Sequence, residues 1–413
     1  MSKLKKMILE QVADLPRQFL RKKLEAKLRN NSIEDEELLE SLTDHLLSNG
    51  NQPFCWSDGN GGSTHSVSIA FTEEDAYDIM GALDRFLEEG LPSVIQDTVQ
   101  DSAKSLARQL EKNWPERKLD ERNEMQYFRD RIDFRWSKGL DPLRMLLTIS
   151  REVGQDFADK LARSKAKKGI AKRRAIMMLH MRACQTALEI LTLLENGLAD
   201  GAYARWRTLY EVSVVAFVIE RFGDEIAERY FAHDVVSMRE AVISEFKHEN
   251  KEYDPAKLRG ELKEIEKQYK LVVEIYGKSF ASPYGWAAYH LDAKSPNLRH
   301  LERAVDWHAL PPNYKWSSHK VHAGVAGAVR GLSSVDGIPL IHSGASNAGL
   351  HVPAINTAFS LLQVTSLLFE KKDDLEVTIQ MQAMIILRDK VAKECTKAAK
   401  KLEKEEREIR SHL

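Results

Sequence analysis

Two polar residues, Arg207 and Glu211, stand in a segment of the chain that is otherwise strongly apolar. They are four positions apart, so on a helix they share one face. Glu211 leads directly into the run from Val212 to Ile219, which is typical of a buried helix. Because an unpaired buried charge is very costly, this carboxylate must be paired, hydrogen-bonded or protonated. The two residues are therefore either a structural clamp or part of a functional site.

Two histidines form a second polar group further along the chain. His319 and His322 are three positions apart, which makes them neighbours on a helix face. The small residues that follow them let another helix approach closely. If that neighbour is the helix over 201–222, Arg207 and Glu211 meet one of the histidines. The sequence therefore predicts a site made of Arg207, Glu211, His319 and His322.

The first functional hypothesis for this site is RNA cleavage of the HEPN type, as in bacterial toxins and phage-defence effectors. Histidine serves there as acid or base, and arginine stabilises the charged phosphate. Such proteins carry an arginine followed a few residues later by histidine, and this chain has about as many of these pairs as chance provides. The hypothesis therefore uses Arg207 and His322 from different helices. The local arginine–histidine pairs are Arg173 or Arg174 with His180, Arg303 with His308, and Arg407 with His412.

Two other hypotheses stay open. Glu189, Glu211, His319 and His322 are residue types that bind Zn, Mn or Fe, which would make a metal-dependent hydrolase, although no His-Glu-x-x-His motif is present. Alternatively, Arg207 and Glu211 form a buried ion pair that fixes helix register, and the chain is a non-enzymatic interaction or sensor protein. Its partners would then be a protein or a second copy bound through helices, whereas the nuclease hypothesis implies RNA.

Bulk composition narrows the class of protein. The 413 residues have a formal net charge of −1, so no global field favours nucleic acid or acidic membranes. The three cysteines are far apart, which argues against a disulfide framework and fits a reducing compartment. The longest apolar run is too short for a bilayer, and nucleotide-binding and α/β-hydrolase motifs are absent. We expect a cytoplasmic protein without a cofactor, a metal or a membrane span.

The chain is predicted to be mainly α, with a helical-bundle C-terminal domain and a helical N-terminal region that carries one small β-hairpin. The N-terminal region covers 1–165, and turn residues at Asp58 to Gly62 place its hairpin near 54–71. Helices are expected from 73 to about 160, punctuated by Pro92, Pro115, Gly139 and Pro142. The core domain covers 171–370, and a long charged helix covers 371–413.

The basic segment 163–174 marks the boundary between the two domains. It lacks large apolar residues, so a solvated linker or helix face is its plainest interpretation, and a phosphate-binding patch is the alternative. It has no interleaved aromatic residue, so base stacking is not indicated.

Three short motifs occur in the order found in one bacterial family. They are a leucine-rich helix that ends at Gly197, the stretch from Ala204 to Glu211, and a Ser-x-x-x-His motif from Ser318 to His322. Over roughly 175–370 the chain resembles the bacterial family of unknown function numbered five-six-seven-seven. The resemblance implies an all-helical fold and no established activity. The positions that match the family's polar motif are Arg207, Glu211, Ser318 and His322.

Overall fold

The computed structural model describes residues 3–50, 52–56, 69–165, 168–247, 255–307, 311–322, 324–325, 344–369 and 375–412. Within these ranges the chain is mainly helical and forms no strand, which confirms the predicted fold class at that level. None of the described helices combines the length and the hydropathy that a membrane span requires.

The chain divides into two compact units, Met1–Asp120 and Glu121–Leu413. The predicted boundary near 165 lies inside the second unit. The sequence-based division into 1–165, 171–370 and 371–413 concerns which parts fold independently, and it stays a prediction.

The first unit contains the helices α1 (Lys3–Asn30), α2 (Glu36–Asn49) and α3 (Glu73–Arg85). Leucines of α1 and α2 form its small core. The start of α3 is fixed by a capping box, in which the Thr72 side chain accepts from the Asp75 N–H and the Asp75 carboxylate accepts from the Thr72 N–H. Lys23 and Lys27 of α1 pair with Asp75, and its pKa lies well below the usual range, chiefly because Lys27 bonds to it.

The β-hairpin predicted near 54–71 is not seen, although its turn and part of its second arm lie outside the described residues. Both described ends of the segment turn to the helices instead of to each other. The ring of His45 on α2 contacts the ring of Phe54 at a tilt, with centroids 5.1 Å apart, and Lys27 donates to the Ala70 carbonyl at 3.0 Å. Backbone and ring groups that a hairpin would pair are thus bound by side chains of α1 and α2.

A single helix, α4 (Leu91–Arg163), follows a π-helical segment at Phe86–Gly90. It continues across Pro92, Pro115, Gly139 and Pro142, so the predicted interruptions are wrong. Pro92 directly follows the π-helical segment, in which the Leu91 N–H reaches back five residues to the Phe86 carbonyl, so the wider helical turn precedes the proline without ending the helix. Pro115 lies in a fully exposed stretch, where water can bind the carbonyl that it leaves free. Beside Pro142, buried leucines hold the helix in place through packing.

The second unit packs its helices around one hydrophobic core to which the last part of α4 also contributes. Its other helices are α5 (Ile170–Glu195), α6 (Ala199–Phe222), α7 (Asp224–Ala232), α8 (Asp234–Lys247), α9 (Pro255–Tyr276), α10 (Leu298–Ala304), α11 (Pro311–Ser318), α12 (His351–Ser366) and α13 (Leu375–Ser411). Two short 3-10 turns, Lys278–Ala281 and Gly285–Ala287, follow α9. Helix α6 lies centrally, against α5, α10, α11 and α12.

Helices α5 and α6 form a helical hairpin, and glycines end both helices. Gly197 has a φ of 71°, and the Leu198 N–H then reaches back to the Leu193 carbonyl at 2.8 Å. Gly223 has a φ of 83° and donates to the Ile219 carbonyl at 2.9 Å. The short link forces α5 and α6 to pack along their length, which sets the register of the polar residues on α6.

We expect Gly139→Ala to destabilise the second unit. A Cβ at this position would lie 3.1 Å from the Cys395 backbone nitrogen, in a fully buried contact between α4 and α13. Overpacking of this kind lowers the free energy of unfolding by about 1–3 kcal/mol. Urea denaturation should show this loss, whereas Gly260→Ala on α9, which meets no atom within 4 Å, should raise stability by about 0.5–1 kcal/mol. Equal effects of the two substitutions would contradict the close helix contact.

Candidate functional site

Aromatic side chains line α6 and bring its polar residues against neighbouring helices. The rings of Tyr203, Trp206 and Tyr210 follow one another at centroid distances of 5.7 and 5.4 Å. Tyr314 of α11 continues the series, 5.0 Å from Tyr210. The Trp206 indole N–H donates to the Ser360 hydroxyl of α12 at 3.1 Å. This ladder fixes the rotation of α6 and thereby the direction of its polar face.

Arg207 binds a tyrosine of α11. Its Nε donates to the Tyr314 hydroxyl at 2.8 Å, and its guanidinium carbon lies 4.9 Å from the centroid of the same ring. The contact combines a charge-assisted hydrogen bond with a cation–π interaction. Burial raises the pKa of Tyr314, so the hydroxyl stays protonated at neutral pH.

Glu211 also binds a tyrosine, from the segment between the two 3-10 turns. The Tyr284 hydroxyl donates to Oε1 of Glu211, and burial together with this bond raises the pKa of Tyr284 above its ordinary value. Among the described residues Tyr284 is the only hydrogen-bond partner of this carboxylate. The predicted ion pair with Arg207 does not form in this part of the chain, and Glu211 is half-buried instead of enclosed. Arg207 and Glu211 each form a hydrogen bond with a tyrosine hydroxyl, so neither requires an ion pair with the other.

A second phenol–carboxylate contact was not predicted from the sequence. The Tyr210 hydroxyl donates to Oε1 of Glu302 on α10 at 2.5 Å, and both residues are buried. Burial and this bond raise the pKa of Tyr210. Glu302 lies in a short polar stretch, so no sequence signal pointed to its burial. The described network thus joins two carboxylates and one guanidinium through three tyrosines.

The described contacts place α11 along the first half of α6. The Tyr203 hydroxyl donates to the Asn313 carbonyl at 2.8 Å. Lys320, just after α11, lies 3.1 Å from the carboxylate of Asp200 in the first turn of α6. The chain after α11 therefore runs toward the N-terminal end of α6.

His319 and His322 consequently lie away from Glu211. His319 packs edge-on against Trp316 with centroids 5.8 Å apart, and His322 is exposed. Among the described residues, no hydrogen bond, ion pair or ring contact joins either histidine to Arg207 or Glu211. The four predicted site residues thus separate into two groups, and their catalytic roles stay a prediction.

Glu211 opens onto a cavity of about 670 Å³ between α5, α6, α7, α8 and the 3-10 turns. Buried apolar residues, including Leu179, Val215 and Trp286, form part of its wall. The described lining residues are Met178, Leu179, Thr208, Glu211, Val212, Val215, Tyr230, Phe231, His233, Asp234, Ser237, Pro283, Tyr284 and Trp286. A concave, largely apolar space with a few convergent polar groups is typical of a small-molecule site.

The charge of this cavity is negative. Its described lining contains the carboxylates of Glu211 and Asp234 and no lysine or arginine. His233 adds no positive charge near neutral pH, because burial lowers its pKa. Its Nε2 donates to the Ser282 carbonyl at 2.9 Å, which orients the ring. Burial raises the pKa of Tyr230, and the Asp234 charge acts in the same direction.

His180, the histidine that follows Arg173 and Arg174, is a core residue. It is 1% exposed, and its Nε2 lies 3.2 Å from the Thr365 hydroxyl. Burial lowers its pKa to about 4, so it is neutral and enclosed at physiological pH. This location excludes it as an accessible acid or base.

Part of the basic segment 163–174 is used to hold the second unit together. The carboxylate of Asp224, at the start of α7, accepts from the backbone N–H groups of Gly169 and Lys172 and so caps α5. The Lys172 ammonium pairs with Glu220 at 3.1 Å. The predicted solvated linker is thus, over these residues, a helix start bound to α6 and α7.

The four residues predicted as metal ligands do not come together in the described structure. Glu189 pairs with Arg205, and Glu211 binds Tyr284 at a distance from the two histidines. Within the described ranges, no three His, Cys, Asp or Glu side chains gather in a way that would hold a metal ion.

Comparison with known proteins confirms the resemblance noted in the sequence. Residues 173–337 match the sequence model of DUF5677, a family of unknown function, over less than half of the chain. The match includes nearly all of α5, the whole of α6 and both histidines. Neither the curated proteins nor the solved structures gave a match. The family match covers the segment that carries Arg207 and Glu211. Because the function of the family is unknown, the match assigns no activity to these residues.

We expect His180 to make stability depend on pH. Its pKa is about 4 in the folded protein against 6.5 for an ordinary histidine, so below pH 6.5 the unfolded chain binds a proton that the folded chain does not. Stability therefore falls as the pH drops from about 6.5 to about 4, by about 3 kcal/mol from this residue. Urea denaturation across this range should show a shallower fall for His180→Gln. An unchanged pH dependence would contradict the neutral, enclosed histidine.

Proposed function

We propose that the second unit is a ligand-binding module that takes a small organic cation in the cavity beside Glu211. The observation that carries the proposal is the composition of the cavity, whose described lining contains two carboxylates and an aromatic wall and no lysine or arginine. The proposal extends the non-enzymatic interaction or sensor hypothesis and replaces its structural ion pair with a binding site.

Electrostatics favours a positive ligand. An amine placed between Glu211 and Asp234 gains charge-assisted hydrogen bonds, which are about twice as strong as neutral ones. The faces of Tyr230 and Trp286, whose centroids lie 5.3 Å apart in an edge-to-face arrangement, add cation–π attraction for the same charge. The hydroxyls of Thr208 and Ser237, which also line the cavity, supply further polar contacts.

Tyr284 prepares Glu211 for this role. By donating to one carboxylate oxygen it fixes the rotamer of the side chain and offsets part of the cost of removing the charge from water. In the described structure the second oxygen keeps its capacity to accept. A site whose groups are held in place before the ligand arrives loses less entropy on binding.

The same charges argue against RNA in this cavity, because Glu211 and Asp234 would repel a phosphate group. Arg207, which the nuclease hypothesis assigns to the phosphate, is held by Tyr314. RNA cleavage by Arg207 with His319 or His322 stays the competing hypothesis, and it requires a rearrangement that brings one of the histidines to this arginine.

Calorimetric titration tests the proposal with phenethylamine, tetramethylammonium and the neutral analogue phenethyl alcohol. We expect both cations to bind and phenethyl alcohol to bind more weakly. Glu211→Gln keeps an oxygen for Tyr284 and removes the charge, so it should weaken cation binding about tenfold or more, as expected for a lost hydrogen bond to a charged group. Asp234→Asn should act in the same direction.

Glu228→Gln, on an exposed position of α7 outside the cavity lining, is the matched control and should leave the affinity unchanged. The proposal is wrong if neither cation binds, or if Glu211→Gln and Glu228→Gln have equal effects. Thermal unfolding of each variant separates a loss of binding from a loss of fold.

A cleavage assay with single-stranded RNA separates the two hypotheses. Our account predicts that the purified chain has no RNA-cleaving activity that depends on both Arg207 and His322. If wild-type protein cleaves RNA and both Arg207→Ala and His322→Ala abolish the activity while the melting temperature is kept, the competing hypothesis is correct.

A further inference from the structure

The first half of α4 carries an uncovered apolar face. Ile95, Val99, Leu106, Leu110 and Trp114 are between 37% and 59% exposed. With 3.6 residues per turn, these five side chains and Ala103 fall within an arc of about 100°. We name the six residues the α4 stripe. A contiguous apolar face of this size on an exposed helix marks an interaction surface.

The spacing of the residues in the α4 stripe is the same in both directions along the chain. Its spacings are four, four, three, four and four residues, which read the same from either end. Two antiparallel copies would therefore place Ile95 beside Trp114, Val99 beside Leu110 and Ala103 beside Leu106. Every pair combines a smaller with a larger side chain, which fills the interface evenly. A parallel, in-register pair would instead oppose alanine to alanine and tryptophan to tryptophan.

The charged residues of this part of α4 point away from the stripe. At about 100° per residue they lie roughly 110–170° from its centre, so a partner helix on the stripe covers no ion; they are Asp97, Asp101, Lys104, Arg108, Glu111 and Lys112. In an antiparallel pair the helix dipoles also oppose. The edges of the stripe carry the uncharged residues Gln96, Gln109 and Asn113, which a partner helix covers at lower cost than ions.

We propose that the α4 stripe is the interface of a homodimer, in which α4 of one copy pairs antiparallel with α4 of a second copy. The stripe spans about 29 Å along the helix axis, since 19 steps of about 1.5 Å separate its ends. It ends at Arg117, the next residue on the same face. The inference rests on the first unit alone and is independent of the ligand site.

Light scattering coupled to size-exclusion chromatography tests the proposal on the full chain over a wide range of protein concentration. We expect twice the monomer mass of 47.1 kDa at high concentration and dissociation on dilution. Leu106→Glu, inside the stripe, should shift the protein to the monomer. Leu119→Glu is the matched control, because Leu119 is 58% exposed against 59% for Leu106 and lies on the other side of the same helix.

Disulfide trapping tests the direction of the helices in a Cys55→Ser background, which removes the exposed native cysteine. A mixture of Ile95→Cys and Trp114→Cys proteins should form a cross-linked heterodimer under mild oxidation, and neither variant alone should cross-link. A monomer at every concentration, a dimer that Leu106→Glu leaves intact, or efficient cross-linking by each single variant would overturn the proposal.

Discussion

The second unit depends on the need to satisfy charged groups on a helix that is otherwise apolar. Helix α6 packs against α5, α7, α10, α11 and α12, so most of its charged side chains are partly buried. Arg207 and Glu211 are held by Tyr314 and Tyr284, and the buried Glu302 is held by Tyr210. Phenols suit this task, because they stay neutral, donate one strong hydrogen bond and contribute a large apolar surface.

This arrangement ties together segments that are distant in sequence. The three tyrosines come from α6, from the 3-10 region and from α11, so one network fixes the positions of all three. Removing the Tyr210 hydroxyl would leave the buried Glu302 carboxylate without this hydrogen bond, which costs more than the net value of the bond. The network thus fixes where α6 presents Glu211, and that position determines the charge of the adjacent cavity.

Local sequence signals were sufficient for the helices and their ends. The end of α5 at Gly197 was predicted, because the left-handed backbone that ends a helix depends on residues close in sequence. The continuous α4 was missed, since exposure to water and packing against buried leucines offset the cost of its prolines. The hairpin prediction relied on turn residues alone and ignored the side chains of α1 and α2 that bind its arms.

The candidate site was predictable only in part. Arg207 and Glu211 stood out because charge in an apolar helix must have a partner, and the structure confirms that they are partnered. The identity of the partners was not accessible, because the phenols lie about 70 to 110 residues away in sequence and carry no local pattern. His319 and His322 were placed beside Glu211 on the condition that their helix packs against α6. It does, but the chain after α11 runs toward the N-terminal end of α6, away from Glu211.

The central claim is that Glu211 is coupled to Tyr284 and not to a histidine. A double-mutant cycle measures this coupling directly, through the free energies of unfolding of Glu211→Gln, Tyr284→Phe and the double variant. Our account predicts a coupling of about 1–3 kcal/mol and, in the parallel cycle of Glu211→Gln with His322→Ala, a coupling near zero. A coupling to His322 of that size, with none to Tyr284, would contradict the account and restore the catalytic cluster.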